Sequence, residues 1–317
     1  MKINISNVDI DEIDSKDDFF RISSSFDPFK LAQSINTIGL INHPYIIVKD
    51  NKFSIVSGFR RVSACRLLRL KRICVKQIDP MTSMIECSKL AVSDNIFQRD
   101  LNLIEQSRCY TLLDSVCKDK ETFYKALSDT GLPENPALIT KIIPLCRLPQ
   151  SIQAGIEKEA IPLSTAHLFL EIDEASALFL ANLFQELTLG LNKQREIFQM
   201  VIEIAKRDDL SLWDLLHHND LLNIMADNQL DKTKKAFKLR QWLKEKRFPQ
   251  LSEKLKTYRI EVEKLKLGHR IRLTPPAYFE GKKFNLSLDF SNRQDLVDFR
   301  DAIRRLKENE YLMSLLK

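Results

Sequence analysis

Apolar positions change period several times along the first hundred residues. Leu31, Ile35 and Ile38 recur at helical spacing behind Asp27, a candidate N-cap, and Pro28 at the first helical position; Gly39 is placed to stop that helix. Tyr45–Val48 and Phe53–Val56 are short apolar runs about the polar Lys49-Asp50-Asn51-Lys52, which predicts a hairpin. Ser57-Gly58-Phe59-Arg60-Arg61 comes next, then a helix from Val62 to about Leu70, and Ile73–Ile78 is a further strand. From Leu101 the pattern turns helical almost continuously to about residue 265, opened by Asn102 and Glu105 at the spacing of a capping box. Inside it, Thr122–Thr130, Gly131 and Pro136–Leu148 outline a helix-turn-helix. Near the end, Arg270–Leu273 and Phe284–Phe290 predict strands, with Phe284, Leu286, Leu288 and Phe290 alternating with polar residues. Leu296, Phe299, Ile303 and Leu306 then mark one face of a closing helix. Two strands and a helix bury too little alone, so a second copy of the chain is the simplest partner.

Composition narrows this picture. The chain has 317 residues, 44% apolar and 29% charged, a length that suggests two or three domains and a composition that argues against wholesale disorder. No apolar run approaches the ~20 residues needed to span a bilayer, and the acidic start lacks a secretory core, so a cytoplasmic protein without a membrane partner is expected. None of the six cysteines shows the pair spacing of a zinc or redox site; buried, reduced thiols are expected. The net charge of +6 is unevenly spread: residues 231–272 carry fifteen Lys/Arg against five acids, a net of +10 that leaves −4 elsewhere. Such a segment suits a polyanion, although a solvated helical face has the same composition.

Two stretches carry candidate chemistry. At Ser57-Gly58-Phe59-Arg60-Arg61 a strand ends, glycine permits close approach, and two arginines open a helix; free N–H groups there with guanidinium forks suit a phosphate. In Asp94–Asn102 (DNIFQRDLN), Asp94 and Asn95 set a carboxylate beside an amide oxygen, hard donors that suit Mg²⁺ riding on a phosphate; a capped turn is the plainer reading.

In this order, Leu31–Val48 (LAQSINTIGLINHPYIIV), Phe53–Leu68 (FSIVSGFRRVSACRLL), Asp94–Glu105 (DNIFQRDLNLIE) and Leu145–Leu163 (LCRLPQSIQAGIEKEAIPL) resemble the ParB family of partitioning proteins. The closing strand-strand-helix unit is similar to that family's dimerisation domain. The resemblance implies an α+β, mostly helical chain: a small ParB-like α/β nucleotide-binding domain over 1–100 and a central helix-turn-helix domain over 101–208. A basic helical linker over 209–264 and a carboxy-terminal dimerisation unit over 265–317 would complete it. It also implies CTP and Mg²⁺ as cofactors, DNA as ligand, a homodimer acting as a clamp, a ParA-type ATPase partner and a place on the nucleoid. Carried over, Ser57, Gly58, Arg60 and Arg61 face the triphosphate, Gly39 and Pro44 border the nucleotide, Asn95 contacts it, and Asp94 with Asn95 holds the metal.

This sequence also departs from the family. Phe59 stands where the family usually has Glu, so CTP hydrolysis stays open; His43 interrupts the usual Gln-Pro step, and Asp94 shortens the usual Glu. The recognition segment offers only Asn135, Thr140 and Lys141 toward DNA and carries Pro144, so Lys232, Lys234, Lys235 and Lys238 are expected to supply more of the affinity. Two other readings compete. One is a ParB-derived adaptor or transcriptional regulator that binds a protein and reads DNA weakly. The other, a sulfiredoxin-like catalyst, would need a reactive cysteine beside the phosphate turn, and Cys65 lies a helical turn too late.

Overall fold

The computed structural model describes residues 1–317 except 25–26, 50–51, 269, 282 and 316–317. Its contacts divide the chain into two compact units, Met1–Leu191 and Asn192–Lys317. Both are α+β, with helices dominant.

In the first unit, β1 (Ile3–Asp9), β2 (Tyr45–Lys49), β3 (Lys52–Ser57) and β4 (Arg72–Ile78) form one sheet in the order β1-β4-β2-β3. β4 pairs antiparallel with β1 and parallel with β2, while β2 and β3 form the expected hairpin, Lys49 opposite Lys52. The expected tip residues Asp50 and Asn51 lie outside the described residues. α1 (Phe29–Ile38) and α2 (Phe59–Leu67) pack a core with Ile35, Ile46, Ile55, Val62, Cys65 and Val75. Full burial of each large aliphatic contributes roughly 1.5–3 kcal/mol. Asp27 is not the N-cap: Pro28 takes that place, and the Asp27 carboxylate instead accepts the Phe29 N–H at 3.0 Å. α2 starts at Phe59 rather than Val62, because the left-handed Gly58 turns the chain directly from β3 into the helix.

Beyond the sheet run α3 (Met84–Ile96), α4 (Leu103–Val116), α5 (Lys120–Thr130) and α6 (Pro136–Ile142), then α7 (Gln150–Glu157), α8 (Leu163–Phe169) and α9 (Glu174–Glu186). Asn102 and Glu105 make the expected capping box on α4. α5 and α6 flank the left-handed Gly131 turn of the helix-turn-helix. The segment Pro136–Leu148 is not one helix. α6 ends at Ile142 and a 3₁₀ turn, Ile143–Arg147, replaces its second half, since Pro144 has no N–H for the α-helical ladder.

The second unit holds all but the first residue of α10 (Leu191–Asp208), then α11 (Leu212–Leu216), α12 (Asn219–Ala226), α13 (Lys232–Arg247) and α14 (Pro249–Lys264). β5 (Ile271–Thr274) and β6 (Asn285–Leu288) follow as an antiparallel pair, then α15 (Arg293–Glu308) and α16 (Glu310–Ser314). The expected apolar face of the closing helix is split. Phe299 and Ala302 are buried with Ile271, whereas Leu296, Val297, Ile303 and, beyond β6, Phe290 stay exposed. No helix among the described residues is long and apolar enough to cross a membrane.

Candidate functional site

Gly58 fixes the centre of the site. Its φ of 101° is open to glycine at little cost, and a Cβ there would sit 2.7 Å from Pro44 Cβ and 2.9 Å from Pro44 Cα. Pro44 is held in turn, its carbonyl accepting the Lys76 N–H of β4 at 2.9 Å. The close approach aims the start of α2 into a cavity of about 580 Å³, and no side chain caps those first N–H groups. That volume lies within the usual span for small-molecule sites.

Gly39, Ser57, Gly58, Arg60, Arg61, Asp94 and Asn95 all line this cavity. Pro44 does not; it supports the turn from behind Gly58. Sequence reading missed Lys30 and Ser34, one turn apart on α1, and Gln98 and Arg99, just beyond α3. Their polar spacing is visible in the sequence, but only the packing of α1 and α3 around the turn turns those side chains to one place.

The cavity's charges are already organised. Arg61 Nη2 donates to Asp94 Oδ2 at 2.9 Å, and its Nη1 donates to the carbonyls of Asn42 and His43, each at 3.2 Å. Ser57 Oγ donates to the same Asp94 oxygen, and Gln98 Nε2 donates to Oδ1 at 2.9 Å. Asp94 thus ties the turn, the 39–44 loop (through Arg61) and α3 together. Asn95 Nδ2 donates to the Ala91 carbonyl at 2.8 Å, which leaves its oxygen as the outward acceptor. Arg60 is held below its ordinary pKa by burial first and by the Arg99 charge second.

Arg99 is itself locked. Its two terminal nitrogens donate to both oxygens of Glu105 at 2.5 and 2.7 Å. Burial alone would raise the Glu105 carboxyl, but Arg99 and the amides of Ser24 and Asn102 outweigh it and hold the group below the usual carboxylate range.

For a metal, Asp94 and Asn95 offer two hard oxygens beside the Gly58 turn, a number that would suit an ion held largely by other ligands such as phosphate and water. Asp94 is engaged by the Arg61 cation at 2.9 Å. Among the described residues no group of three or more His, Cys, Asp or Glu gathers for an all-protein metal site. Cys65 is fully buried and its thiol is pushed up by that burial, which removes the nucleophile a sulfiredoxin-like reaction needs.

The residues expected from the sequence to face DNA fall in both units. Asn135 Oδ1 is used as the α6 cap, accepting the Ala137 and Leu138 N–H groups at 3.0 and 3.3 Å. Thr140 Oγ1 donates back to the Pro136 carbonyl at 2.8 Å, and Lys141 is exposed. In the second unit Lys232, Lys234 and Lys238 are exposed on α13, whereas the Lys235 ammonium donates to the Met225 carbonyl. Part of the basic segment is neutralised internally: Arg240 and Lys244 pair with Glu196 at 2.5 and 3.1 Å, and Arg247 with Glu203 at 2.5 Å.

No family model matches the chain. The chain is similar to the probable chromosome-partitioning protein ParB of Rickettsia felis, 29% identical over 177 residues that cover 55% of this chain and 58% of that protein. The Rickettsia bellii protein of the same name is 30% identical over 193 residues, 60% of this chain and 63% of that one. The chain therefore spans about three-fifths of the length of the curated relatives it matches. Among solved structures, a C-terminally truncated ParB from Caulobacter crescentus complexed with CTP-gamma-S is 18% identical with a TM-score of 0.27, covering 58% of this chain and 99% of that one. The resemblance to ParB read from the sequence is borne out by the sequence relatives.

Proposed function

From a chain related to ParB partitioning proteins, we propose a DNA-binding protein of chromosome or plasmid partition, a nucleoid-associated dimeric clamp switched by CTP. The carrying observation is the 580 Å³ cavity into which Gly58 aims an uncapped helix start, with Arg60 and Arg61 beside Asp94 and Asn95. That donor set matches a triphosphate, and Asp94 with Asn95 would hold Mg²⁺ on it. When bound, the metal neutralises phosphate charge. The chain's own share is to offer the α2 N–H groups and to release Arg61 from Asp94 toward the phosphates. The division into 1–100, 101–208, 209–264 and 265–317 and a ParA-type ATPase partner belong to the same reading.

DNA affinity is assigned mainly to Lys232, Lys234, Lys235 and Lys238, because α6 is short and Asn135 and Thr140 bond to its backbone. The test is the salt dependence of DNA binding with and without CTP. Changing the four lysines to Gln should flatten the log–log slope by about 0.9 per lost phosphate contact and weaken all sequences alike. An unchanged slope favours the adaptor or regulator reading, which the backbone bonds of Asn135 and Thr140 also support.

The exposed Phe290, Leu296, Val297 and Ile303 are assigned to a homodimer contact. Light scattering of the full chain should read a dimer that Ile303→Asp shifts toward monomer. A wild-type monomer at micromolar concentration overturns that contact.

A further inference from the structure

We propose a second anion site in a cleft of about 90 Å³ alongside α2, separate from the nucleotide cavity and fitted to one phosphate-sized oxyanion. Its wall is lined by Arg21, Arg60 and Arg66 and by Ser15, Ser23 and Ser63. Ser63 stands three residues from both Arg60 and Arg66 on α2, so it neighbours each of them on that helix. Ser15, Arg21 and Ser23 come from the connection between β1 and α1. Ser23, Phe59 and Arg60 line both cavities, which therefore adjoin.

The charge balance argues for an anion. Among the described residues no carboxylate lines the cleft. Glu105 and Glu157 stand behind it and act on Ser24, one accepting its N–H and the other its hydroxyl. Three arginines and no carboxylate on the described lining give the cleft a positive potential, which Glu105 offsets in part at Arg60. The geometry is also prepared. Arg66 Nη2 donates to the Ile13 and Ile10 carbonyls at 2.7 and 3.4 Å, which fixes its planar fork and leaves other donors for a ligand. The Arg21 side chain, exposed at the mouth, makes no hydrogen bond or ion pair with the described residues. Guanidiniums can only donate, so the site selects an acceptor-rich oxyanion, and the cleft, at about 90 Å³, is much smaller than the 580 Å³ cavity beside it.

The test follows backbone amide NMR signals of the full chain while inorganic phosphate is added. Saturable shifts are expected at Ser15, Arg21 and Ser63, and they persist in Arg61→Gln, which disables the nucleotide cavity. Because that arm needs no nucleotide, its outcome is independent of whether CTP binds. Ser63→Asp places a carboxylate in the cleft and should abolish the shifts. Arg21→Gln should weaken binding roughly tenfold or more, the loss of one charge-assisted contact. Shifts confined to Gly58–Arg61 that vanish in Arg61→Gln, or binding unchanged in Ser63→Asp, would overturn the second site.

Discussion

Replacing Glu105 by alanine is expected to lower the unfolding free energy by about 3–5 kcal/mol, the usual result of removing one partner of a buried ion pair. Glu105 is 3% exposed, and its carboxylate accepts both terminal nitrogens of Arg99, the Ser24 N–H at 3.1 Å and the Asn102 N–H at 3.2 Å. The alanine variant leaves Arg99 uncompensated beside Arg60 and deletes half of the α4 capping box. The sign with pH follows from the lowered carboxyl. Its contribution is full above the ordinary carboxylate pKa and is lost as pH falls through the lower folded value. Urea unfolding of wild type and Glu105→Ala should therefore differ most at neutral pH and converge in acid. A difference that stays constant on acidification would show that Glu105 acts only through packing.

The second large effect is expected at Gly58→Ala. A non-glycine residue at φ 101° costs about 1–3 kcal/mol. Overpacking against Pro44, whose backbone is pinned to β4, adds a similar amount, about 1–3 kcal/mol. Either Pro44 or the start of α2 must move, and both shape the Gly58 turn. Nucleotide binding should fall below detection while circular dichroism retains its helical signal. A Gly58→Ala protein that binds nucleotide like wild type would mean that the turn is not where phosphate sits.

Local features were legible in the sequence. The hairpin, the Gly58 turn and the Asn102–Glu105 cap are each decided by residues within a few positions of one another. What stayed hidden depends on residues far apart in the chain. The order β1-β4-β2-β3 leaves no local mark, and nothing near Arg61 announces that Asp94, 33 residues on, will take its guanidinium. The basic segment looked fully available because its partners Glu196 and Glu203 lie on α10. The closing helix read as one apolar face, yet packing on Ile271 selects Phe299 and leaves Leu296 and Ile303 outside. Lys30, Ser34, Gln98 and Arg99 joined the site only once α1 and α3 closed around the turn.

Calorimetry of the full chain with CTP, ATP, GTP and UTP, each with and without Mg²⁺, tests the central assignment most directly. CTP with Mg²⁺ should bind alone or well ahead of the others, and Arg60→Ala should weaken it by about 1.5–3 kcal/mol, one charge-assisted contact. Equal and negligible heats for all four nucleotides would contradict the account and leave the Gly58 turn without its ligand.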